Sequence, residues 1–558
     1  MAQPRDLVQE LTGPGGPFEI REAVVRGIPT RVYGFGPRTL VDTLRHSRQY
    51  GDRTFVVYED DAWTYAEHFD VVAKLADRFV HDMGVEKGTR VAIAMRNFPE
   101  WIATFWATAA AGGIVVPLNA WWTGAELEYA LADSGATVLV ADAERAERLG
   151  PHLDGTAVAH RIVARGAVDG WLDVEEVVGA SSATELPDVA IDPEDDATIF
   201  YTSGTTGVPK GAVGTHRNIC TITANAELTA ARGAAAAGRD LPPHTERPQQ
   251  GRLLSVPLFH VTGCHATMVG STWAGSKLVM MYRWNPERAL ELIERERLTS
   301  FGGVPSMVWE VLESPKFGDH DLSSVQSIGY GGAPAPPELV RRITEHFELA
   351  APGNGYGLTE TSSVAVANGG ADYVRKPHSI GRPLPVVDVR IVDPAGDDVP
   401  LGEVGELLIK GPNVVRGYWN KPEETARTFV DGWLHTGDLA TLDEEGFVTI
   451  ADRAKDVVIR GGENVYCAEV EGALYEHPAV TEACVLGVPH RVLGEEVGAV
   501  IVLRPGAAAT AEDLQAHVKE RLAGFKVPTH VWFRDEPLPR NPAGKVLKRE
   551  LRDELTAS

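Results

Sequence analysis

A short stretch of small and hydroxylated residues, YTSGTTGVPKG (201–211), has the composition of a loop that wraps a phosphate group. Glycines let the backbone turn its amides toward an anion, hydroxyls add donors, and a lysine adds a positive charge. It is not a Walker loop, because Pro209 stands where that pattern needs Gly and Gly211 where it needs Ser or Thr. The candidate phosphate-binding residues are Thr202, Ser203, Gly204, Thr205, Thr206, Gly207 and Lys210.

Five further motifs that contain residues suited to chemistry follow this loop along the chain. They are YGGAPAPPE (330–338), GNGYGLTETS (353–362), DGWLHTGDL (431–439), DRAKDVVIRGGENVYCAEVE (452–471) and PRNPAGKVLKREL (539–551). Tyr356 is suited to cover a flat ring, since the glycines beside it let that ring approach the backbone. Asp438 is an acceptor-only carboxylate that can take two hydroxyl donors. A flexible lysine such as Lys545 can place a positive charge between two anions.

In this order and spacing, the six motifs resemble the adenylate-forming superfamily over nearly the whole chain. That superfamily includes acyl-CoA synthetases, aryl-acid:CoA ligases and luciferase-like enzymes, and the motifs are most similar to those of bacterial fatty acyl-CoA synthetases. The resemblance implies an acid–thiol ligase with ATP and coenzyme A as cosubstrates and Mg²⁺ as cofactor. Such an enzyme forms acyl-AMP and pyrophosphate, and then acyl-CoA and AMP.

The resemblance also assigns roles to individual residues in the nucleotide site. The loop from Thr202 to Lys210 would hold the β- and γ-phosphates, and Tyr356 would cover the adenine. Asp438, assisted by Arg453, would accept the ribose hydroxyls. Thr359 would meet the α-phosphate, and Glu360 with Thr202 would hold Mg²⁺, which prefers hard oxygen ligands. The remaining nucleotide contacts would come from Gly332, Ala333, Pro334, Gly355, Gly357 and Leu358.

Lys545 is the expected catalytic lysine. Attack of a carboxylate on the α-phosphate brings two anions together, so a cation that bridges them stabilises the transition state. The PAGK segment places Lys545 on a turn and not on a helix face. By resemblance, Lys455 is the hinge about which a small domain turns from an adenylating to a thioester-forming pose. In the second pose, Gly461 and Gly462 would lie beside the coenzyme A channel.

The acyl pocket is expected near Gly302 and Gly303, with His260 of VPLFHVTG as a gate between this pocket and the thiol channel. The segment TSFGGVPSMVWE (299–310) contains no Arg or Lys that could pair with a second carboxylate. An apolar monocarboxylic acid is therefore favoured, with a medium- or long-chain fatty acid ahead of an aryl or arylalkanoic acid.

Three alternative functions stay open. The first is an acyl-AMP ligase that serves a separate carrier protein, and the second is a luciferase-like oxidase. The third, a non-catalytic nucleotide-binding protein, is disfavoured because Lys545, Glu360 and Asp438 are all present.

Composition and charge narrow the classes of partner. The chain has 558 residues and a formal net charge of −25, which argues against general binding to nucleic acid or anionic membrane. Four dispersed cysteines form no CxxC pair, so neither a zinc site nor a disulfide framework is indicated. The N-terminus lacks the apolar core of a signal peptide, and the apolar run 102–118 is short and broken by Gly and Pro, so a cytoplasmic protein without a membrane span is expected. A homodimer stays open.

The pattern of elements that must position these residues is one of alternating strands and helices. Thr64 is a predicted N-cap for a helix that runs to about Met83, and strands are predicted at 89–95, 137–142 and 197–201. The predicted fold class is α/β, with a large N-terminal domain (1–454) of mixed and parallel sheets covered by helices. A small, mobile α+β domain is predicted over 455–558. Residues 233–250 are predicted to form a surface loop or a disordered insertion.

Overall fold

The computed structural model describes residues 7–202, 209–333, 335–461, 463–540 and 545–556. Within these ranges, strands β1 to β28 run in chain order over Ile20–Val25, Ile28–Tyr33, Thr54–Tyr58, Asp61–Thr64, Arg90–Ala94, Ile114–Pro117, Val138–Asp142, His160–Ala164, Leu172–Asp173, Asp196–Thr202, Lys210–Thr215, Gly251–Leu254, Lys277–Met280, Ser300–Gly303, Ser327–Gly331, Ala351–Leu358, Ser363–Gly369, Arg382–Pro383, Asp388–Val392, Gly405–Lys410, Phe429–Val430, Trp433–Leu442, Val448–Arg453, Val458–Arg460, Glu463–Val465, Val480–His490, Gly494–Leu503 and His530–Arg534.

Helices cover the sheets. In the same described ranges, helices α1 to α17 run over Leu7–Thr12, Leu40–Ser47, Tyr65–His81, Pro99–Ala110, Gly124–Ser134, Ala143–Leu149, Val174–Gly179, His216–Ala236, Gly270–Ala274, Pro286–Arg295, Pro305–Leu312, Pro337–His346, Gly370–Arg375, Pro422–Thr428, Cys467–Tyr475, Ala511–Lys519 and Lys548–Thr556. A π-helix, Thr262–Val269, runs directly into α9.

Two large, mostly parallel sheets form the first part of the chain. One has the strand order β11-β10-β6-β5-β7-β8-β9, with β11 antiparallel at its edge. The other has the order β18-β17-β16-β15-β14-β12-β13-β3-β4 and is antiparallel at both ends. Helix α4 between the sheets is buried along its whole length, with Trp101 and Trp106 fully enclosed. The apolar run at 102–118 is therefore a core helix followed by β6, as its length and glycines predict.

Local capping explains where several of the helices begin. Thr64 Oγ1 accepts a hydrogen bond from the amide of Glu67, and the Glu67 carboxylate accepts one from the amide of Thr64. This reciprocal capping box satisfies two amides that would otherwise lack a partner, and it fixes the start of α3. Thr123 and Glu126 repeat the arrangement at α5. The predicted helix after Thr64 is confirmed.

A third sheet and a C-terminal sheet complete the fold. The third sheet has the order β19-β20-β22-β21, with β23 beside β22, and it ends at Arg453. The C-terminal sheet has the order β25-β24-β27-β26, with β28 beside β27, and α15 and α17 pack against β26. The predicted α/β class, with large and small regions, is confirmed.

The prediction for residues 233–250 is only partly right. Helix α8 continues through Ala236, because alanine is the strongest helix former. The rest contains only a short 3₁₀ turn but is tied down, since Arg247 forms two hydrogen bonds to the Glu227 carboxylate of α8. His244 lies 3.3 Å from the same carboxylate.

None of the described helices is both long and apolar enough to cross a membrane. The four cysteines are buried free thiols.

Candidate active site

The two ends of the predicted phosphate loop are held by a β-hairpin. Strands β10 and β11 pair antiparallel, with Thr202 opposite Lys210, and Thr202 Oγ1 donates to the Lys210 carbonyl at 3.4 Å. Residues 203–208, which include Ser203, Gly204, Thr205, Thr206 and Gly207, lie outside the described residues. The hairpin thus fixes where the loop leaves and rejoins the sheet, at the carboxyl end of β10.

A segment that the sequence analysis did not single out, Arg416–Trp419, lies along β11. The amide of Trp419 donates to the Gly211 carbonyl at 2.7 Å, and the amide of Arg416 donates to the Val213 carbonyl at 3.1 Å. Between them, the Tyr418 hydroxyl donates to Glu360 Oε1 at 2.7 Å. The Lys210 ammonium lies 5.5 Å from the centre of the Tyr418 ring. Tyr418 therefore connects the loop lysine to the predicted magnesium ligand.

Tyr356 and Arg453 both contact the carboxylate of Asp438. The Tyr356 hydroxyl donates to Asp438 Oδ2 at 2.5 Å, and Arg453 Nε lies 3.2 Å from Oδ1. Asp438 is opposite Arg453 in the β22–β23 pairing, and only 4% of its surface is exposed. The three side chains predicted to hold adenine and ribose are thus adjacent. Burial, then the Asp438 charge, raises the pKa of the Tyr356 hydroxyl well above its usual value, so it remains a donor.

Gly357 allows β16 and β17 to approach each other beside this cluster. A Cβ on Gly357 would lie 1.6 Å from the Ser363 carbonyl oxygen. The β16–β17 register shifts between Tyr356 and Gly357. The close approach of the two strands therefore coincides with a β-bulge beside Tyr356, whose ring is predicted to cover the adenine. Gly332 has a positive φ of 77° at the end of β15 and Ala333 follows it, whereas Pro334 lies outside the described residues.

The turn after β16 carries Thr359 and Glu360, and a strained backbone follows it at Ser362 and Ser363. A 3₁₀ turn covers Thr359–Thr361, and Ser362 and Ser363 follow with φ of 53° and 106°, which are unusual for residues other than glycine. The Leu358 amide donates to Thr361 Oγ1 at 2.8 Å. The amide of Val415 donates to the Glu360 carbonyl at 2.9 Å, which anchors the turn to the segment before Tyr418.

His265 of the π-helix supports this turn and was not predicted from the sequence. Its Nδ1 lies 3.2 Å from the Ser362 carbonyl, and its ring meets the edge of Phe200 in β10. Burial lowers the pKa of His265 to about 4, so the ring is neutral and can donate from Nδ1. An isolated histidine in an apolar helix carries no sequence signal that separates this role from ordinary core packing.

Lys545 reaches this cluster from the C-terminal region. It comes just before Val546, which pairs with Arg540 in an antiparallel bridge, so it lies on a turn and not on a helix, as the sequence predicts. Burial lowers the pKa of Lys545 to about 8; Arg453 contributes to the lowering, while Asp438 and Glu360 oppose it. The ammonium is therefore close enough to interact with the charges of the side chains predicted to hold ribose and metal.

The neighbouring basic residues differ from Lys545. Lys548 Nζ donates to Glu471 Oε1 at 2.8 Å and to the Val485 carbonyl at 3.1 Å inside the C-terminal region. The Arg549 side chain is 86% exposed. Of these three cations, Lys545 is the one in the site.

His260 lies between β12 and the π-helix, close enough for the charge of Lys545 to act on it. Burial, and then Lys545, lowers the pKa of His260 to about 4. Its Nε2 is buried, and among the described residues it has no hydrogen-bond partner. A neutral aromatic ring is compatible with the predicted gate.

The two glycines of the predicted acyl pocket have different neighbours. A Cβ on Gly302 would lie 1.7 Å from the Gly329 carbonyl oxygen, so this glycine is required by the close approach of β14 and β15. A Cβ on Gly303 would meet Met307 Sδ at 2.7 Å and Ser255 Oγ at 3.0 Å, which are side-chain atoms. Both glycines thus lie in close packing, and the acyl pocket expected at Gly302 and Gly303 stays a prediction.

Residues 454–457 connect the third sheet to the C-terminal sheet. The exposed Lys455 lies in this connection, and the amide of Ala454 donates to the Gly437 carbonyl at 3.0 Å. Gly461 has a φ of 62° in the β24–β25 hairpin, and Gly462 lies outside the described residues. The roles of Lys455 and the hairpin stay predictions.

No group of three or more His, Cys, Asp or Glu residues in the described part of the chain could hold a metal ion. A Mg²⁺ ion bound largely by phosphate oxygens needs no such group. The half-buried carboxylate of Glu360 offers the hard oxygen atoms that this ion prefers. Thr202, the second predicted ligand, lies at the start of the predicted phosphate loop.

Comparison with known proteins shows the family to which the chain belongs. The sequence profile described as AMP-binding enzyme matches residues 44–419, and that of the AMP-binding enzyme C-terminal domain matches residues 469–545. The chain belongs to the AMP-binding enzyme family. The C-terminal match ends at Lys545, the lysine predicted to act in catalysis.

Curated relatives cover nearly the whole of this AMP-binding enzyme. It is 37% identical over 510 residues to a feruloyl-CoA synthase of Amycolatopsis sp, and the match covers 91% of this chain and 97% of that protein. It is also 37% identical over 557 residues to a long-chain-fatty-acid–CoA ligase of Bacillus subtilis, covering 93% and 95%. Such relatives are acid–thiol ligases, and the predicted enzyme class is confirmed.

Solved structures of similar proteins have the same fold. The anthranilate CoA ligase AuaEII, in complex with anthranoyl-AMP, is similar with a TM-score of 0.85 and 25% identity over 93% of this chain and 98% of that one. ATP-bound MatB from Rhodopseudomonas palustris has a TM-score of 0.80 and 30% identity over 92% and 99%. ATP and coenzyme A as cosubstrates fit this family.

Proposed function

We propose that this AMP-binding enzyme joins a carboxylic acid to coenzyme A through an acyl-AMP intermediate. The observation that carries the proposal is that Lys545 lies close enough to Asp438, Arg453 and Glu360 for their charges to act on its ammonium group. These groups come from separate parts of the chain. The carboxylates suit the ribose hydroxyls and a metal ion, and the cations suit the phosphate groups.

In the first half-reaction, a carboxylate oxygen of the acid attacks the α-phosphorus of ATP, and the bond to the pyrophosphate oxygen breaks. Lys545 lies between the substrate carboxylate and the α-phosphate. Asp438 accepts hydrogen bonds from the ribose hydroxyls, and Tyr356 covers the adenine. The 202–210 loop binds the departing pyrophosphate. When bound, Mg²⁺ neutralises charge on the phosphates, and Glu360 and Thr202 would hold it.

In the second half-reaction, the coenzyme A sulfur attacks the acyl carbonyl carbon, and the bond to AMP breaks. A free thiol has a pKa of about 8.5, so some thiolate is present at neutral pH without a dedicated base. His260, with its pKa lowered to about 4, is a weak base and serves better as a ring that separates the acyl and thiol sites.

The proposed acid is an apolar monocarboxylic acid. A medium- or long-chain fatty acid is the first candidate, because the predicted pocket segment contains no cation and a fatty-acid ligase is a relative at 37% identity. An aryl acid is the second, because the feruloyl-CoA synthase is equally similar.

A pyrophosphate-release screen tests both the reaction and the substrate. Saturated fatty acids from butanoate to palmitate, and benzoate, coumarate and ferulate, are each incubated with ATP and Mg²⁺, with and without coenzyme A, and acyl-CoA is measured directly. We expect acyl-CoA with at least one acid and sustained turnover only with coenzyme A. Acyl-AMP that forms but never passes to coenzyme A would instead identify a carrier-protein ligase, and no pyrophosphate with any acid would overturn the proposal.

A further inference from the structure

The C-terminal region meets helix α11 and the start of α12 through opposite charges. Helix α11 begins at Pro305, two residues after Gly303, and its C-cap residue Glu313 contacts the C-terminal region. We call the set Glu310, Glu313, Glu338, Arg504 and Arg540 the interdomain charge patch. Its three carboxylates belong to the large N-terminal part of the chain and its two guanidinium groups to the C-terminal region.

Arg504 forms the direct contact across this patch. Its Nη1 donates to Glu313 Oε1, and the two side chains are 35% and 31% exposed. Arg504 follows the end of β27, so it is rigidly attached to the C-terminal sheet. The pKa of Glu338 is lowered mainly by its hydrogen bonds to Arg341, and the charge of Arg504 adds to that effect.

Arg540 connects the patch to the catalytic lysine. Its backbone pairs with Val546, so it closes the base of the turn that carries Lys545. Its Nη2 lies 2.5 Å from Glu482 Oε1, and the Glu482 carboxylate also accepts the Leu538 amide at 2.7 Å. This base of the turn is therefore fixed to the C-terminal sheet.

Glu310 of α11, in the large N-terminal part of the chain, lies close enough to Arg540 for the two charges to interact. Trp284 Nε1 donates to Glu310 Oε2 at 2.6 Å, which orients the carboxyl group. Burial raises the pKa of Glu310, while Arg540 opposes the rise and Glu482 adds to it, so Glu310 lies within the field of both. Glu313, the C-cap of α11, thus contacts Arg504, and Glu310 within α11 interacts with the charge of Arg540.

We propose that the interdomain charge patch holds the C-terminal region in the pose that brings Lys545 to the nucleotide, and that it opens for thioester formation. This inference rests on the proposed function. Glu313 and Arg504 are positioning residues that act through the Lys545 turn. An exposed ion pair changes an equilibrium between two poses by only a few-fold, which suits a contact that must break in every catalytic cycle.

Charge reversal tests the pair by its effect on the two half-reactions. Single-turnover rates are measured for Arg504→Glu, Glu313→Arg and the double swap, with acid plus ATP in one assay and acyl-AMP plus coenzyme A in the other. We expect each single variant to slow adenylation by about 3- to 10-fold. Thioester formation should be unchanged or faster, and the double swap should restore adenylation.

Arg288→Glu is the matched control, because Arg288 also forms ion pairs with carboxylates, those of Glu59 and Glu291, but within the large domain. Its side chain is 32% exposed, close to the value for Arg504. We expect this control to leave both rates unchanged. Equal loss in both half-reactions, or no recovery in the double swap, would overturn the positioning role.

A covalent lock gives a second measurement that does not depend on the strength of the ion pair. The four native cysteines are buried, so Glu313→Cys with Arg504→Cys supplies the accessible thiols for a short bis-maleimide linker. The linked enzyme should form acyl-AMP but lose thioester formation. The same variant treated with N-ethylmaleimide, which modifies the thiols without linking them, should keep thioester formation. A linked enzyme that keeps both activities would refute the patch. If wild-type enzyme forms no acyl-AMP, the proposed function fails and not the patch alone.

Discussion

At the scale of single residues, the environment of Lys545 explains how one lysine in a basic tail becomes a catalytic candidate. Its pKa is lowered to about 8 by burial and by Arg453. Lys548, three residues later, is fixed by Glu471 inside the C-terminal region. The two lysines therefore have different predicted consequences when they are lost.

Replacing Lys545 with Ala should slow adenylation by roughly 10²- to 10³-fold, the range for loss of one preorganised electrostatic group. Thioester formation from supplied acyl-AMP should survive, because it does not require a cation between carboxylate and phosphate. The measurement is a pair of single-turnover rates, with the exposed Arg549→Ala as control. Equal loss in both half-reactions would argue against the assignment.

The adenylation step should also depend on pH through Lys545. The ammonium form is required, and with a pKa of about 8 it is lost as the pH rises, so kcat/KM for ATP should fall above about pH 8. His260, with a pKa of about 4, stays neutral in this range and adds no change. In Lys545→Arg, which remains charged, the alkaline fall should disappear. A profile that is the same in both enzymes would show that another group titrates.

At the scale of elements, the β10–β11 hairpin fixes both ends of the predicted phosphate loop and places Lys210 beside Tyr418. Segment Arg416–Trp419 then ties this hairpin to the Glu360 turn. The predicted phosphate loop and the predicted magnesium ligand are thus connected through one tyrosine.

Lys210→Ala should weaken the first half-reaction only. A charged donor to an anion contributes about 1.5–3 kcal/mol, so adenylation should fall by roughly 10- to 150-fold. Thioester formation contains no pyrophosphate and should stay nearly intact. The control is Lys87→Ala, whose side chain is 53% exposed and paired with Asp195. If the acyl-AMP reaction falls as much as the ATP reaction, the loop does more than hold pyrophosphate.

At the scale of the whole molecule, the change of sheet between Arg453 and Val458 is the natural place for a hinge. The predicted boundary of the domains at 454/455 falls in this connection and stays a prediction. A rotation there would open the interdomain charge patch and withdraw Lys545.

Lys455→Pro should separate the two half-reactions. Proline fixes φ near −65° and hinders a dihedral change at the hinge. Acyl-AMP should still form, while steady acyl-CoA output should fall; a pyrophosphate burst followed by a slow acyl-CoA phase is the expected record. Lys455→Ala, which keeps backbone freedom, is the control. Unchanged overall turnover in Lys455→Pro would rule out the hinge at this residue.

Much of the fold follows from interactions between residues close in sequence. Thr64 and Glu67 form their capping box within one turn, and the strand at 138–142 is an apolar run bounded by polar residues. The motif residues Tyr356, Asp438 and Lys545 could be chosen from sequence because each lies in a recognisable pattern. The structure of residues 233–250 was harder to predict, because Arg247 in this segment is held by hydrogen bonds to Glu227, which lies outside it.

The sequence by itself determined the family, the α/β class and the residues suited to bind nucleotide, because caps, periodicity and motifs act over short separations. Only the tertiary structure decided that Tyr418 supports Glu360 across 58 residues and that His265 supports the Ser362 turn across 97. It alone placed Arg504 in contact with Glu313, which is 191 residues away along the chain. Such contacts depend on how sheets and helices pack, and neither partner carries a local signal that names the other.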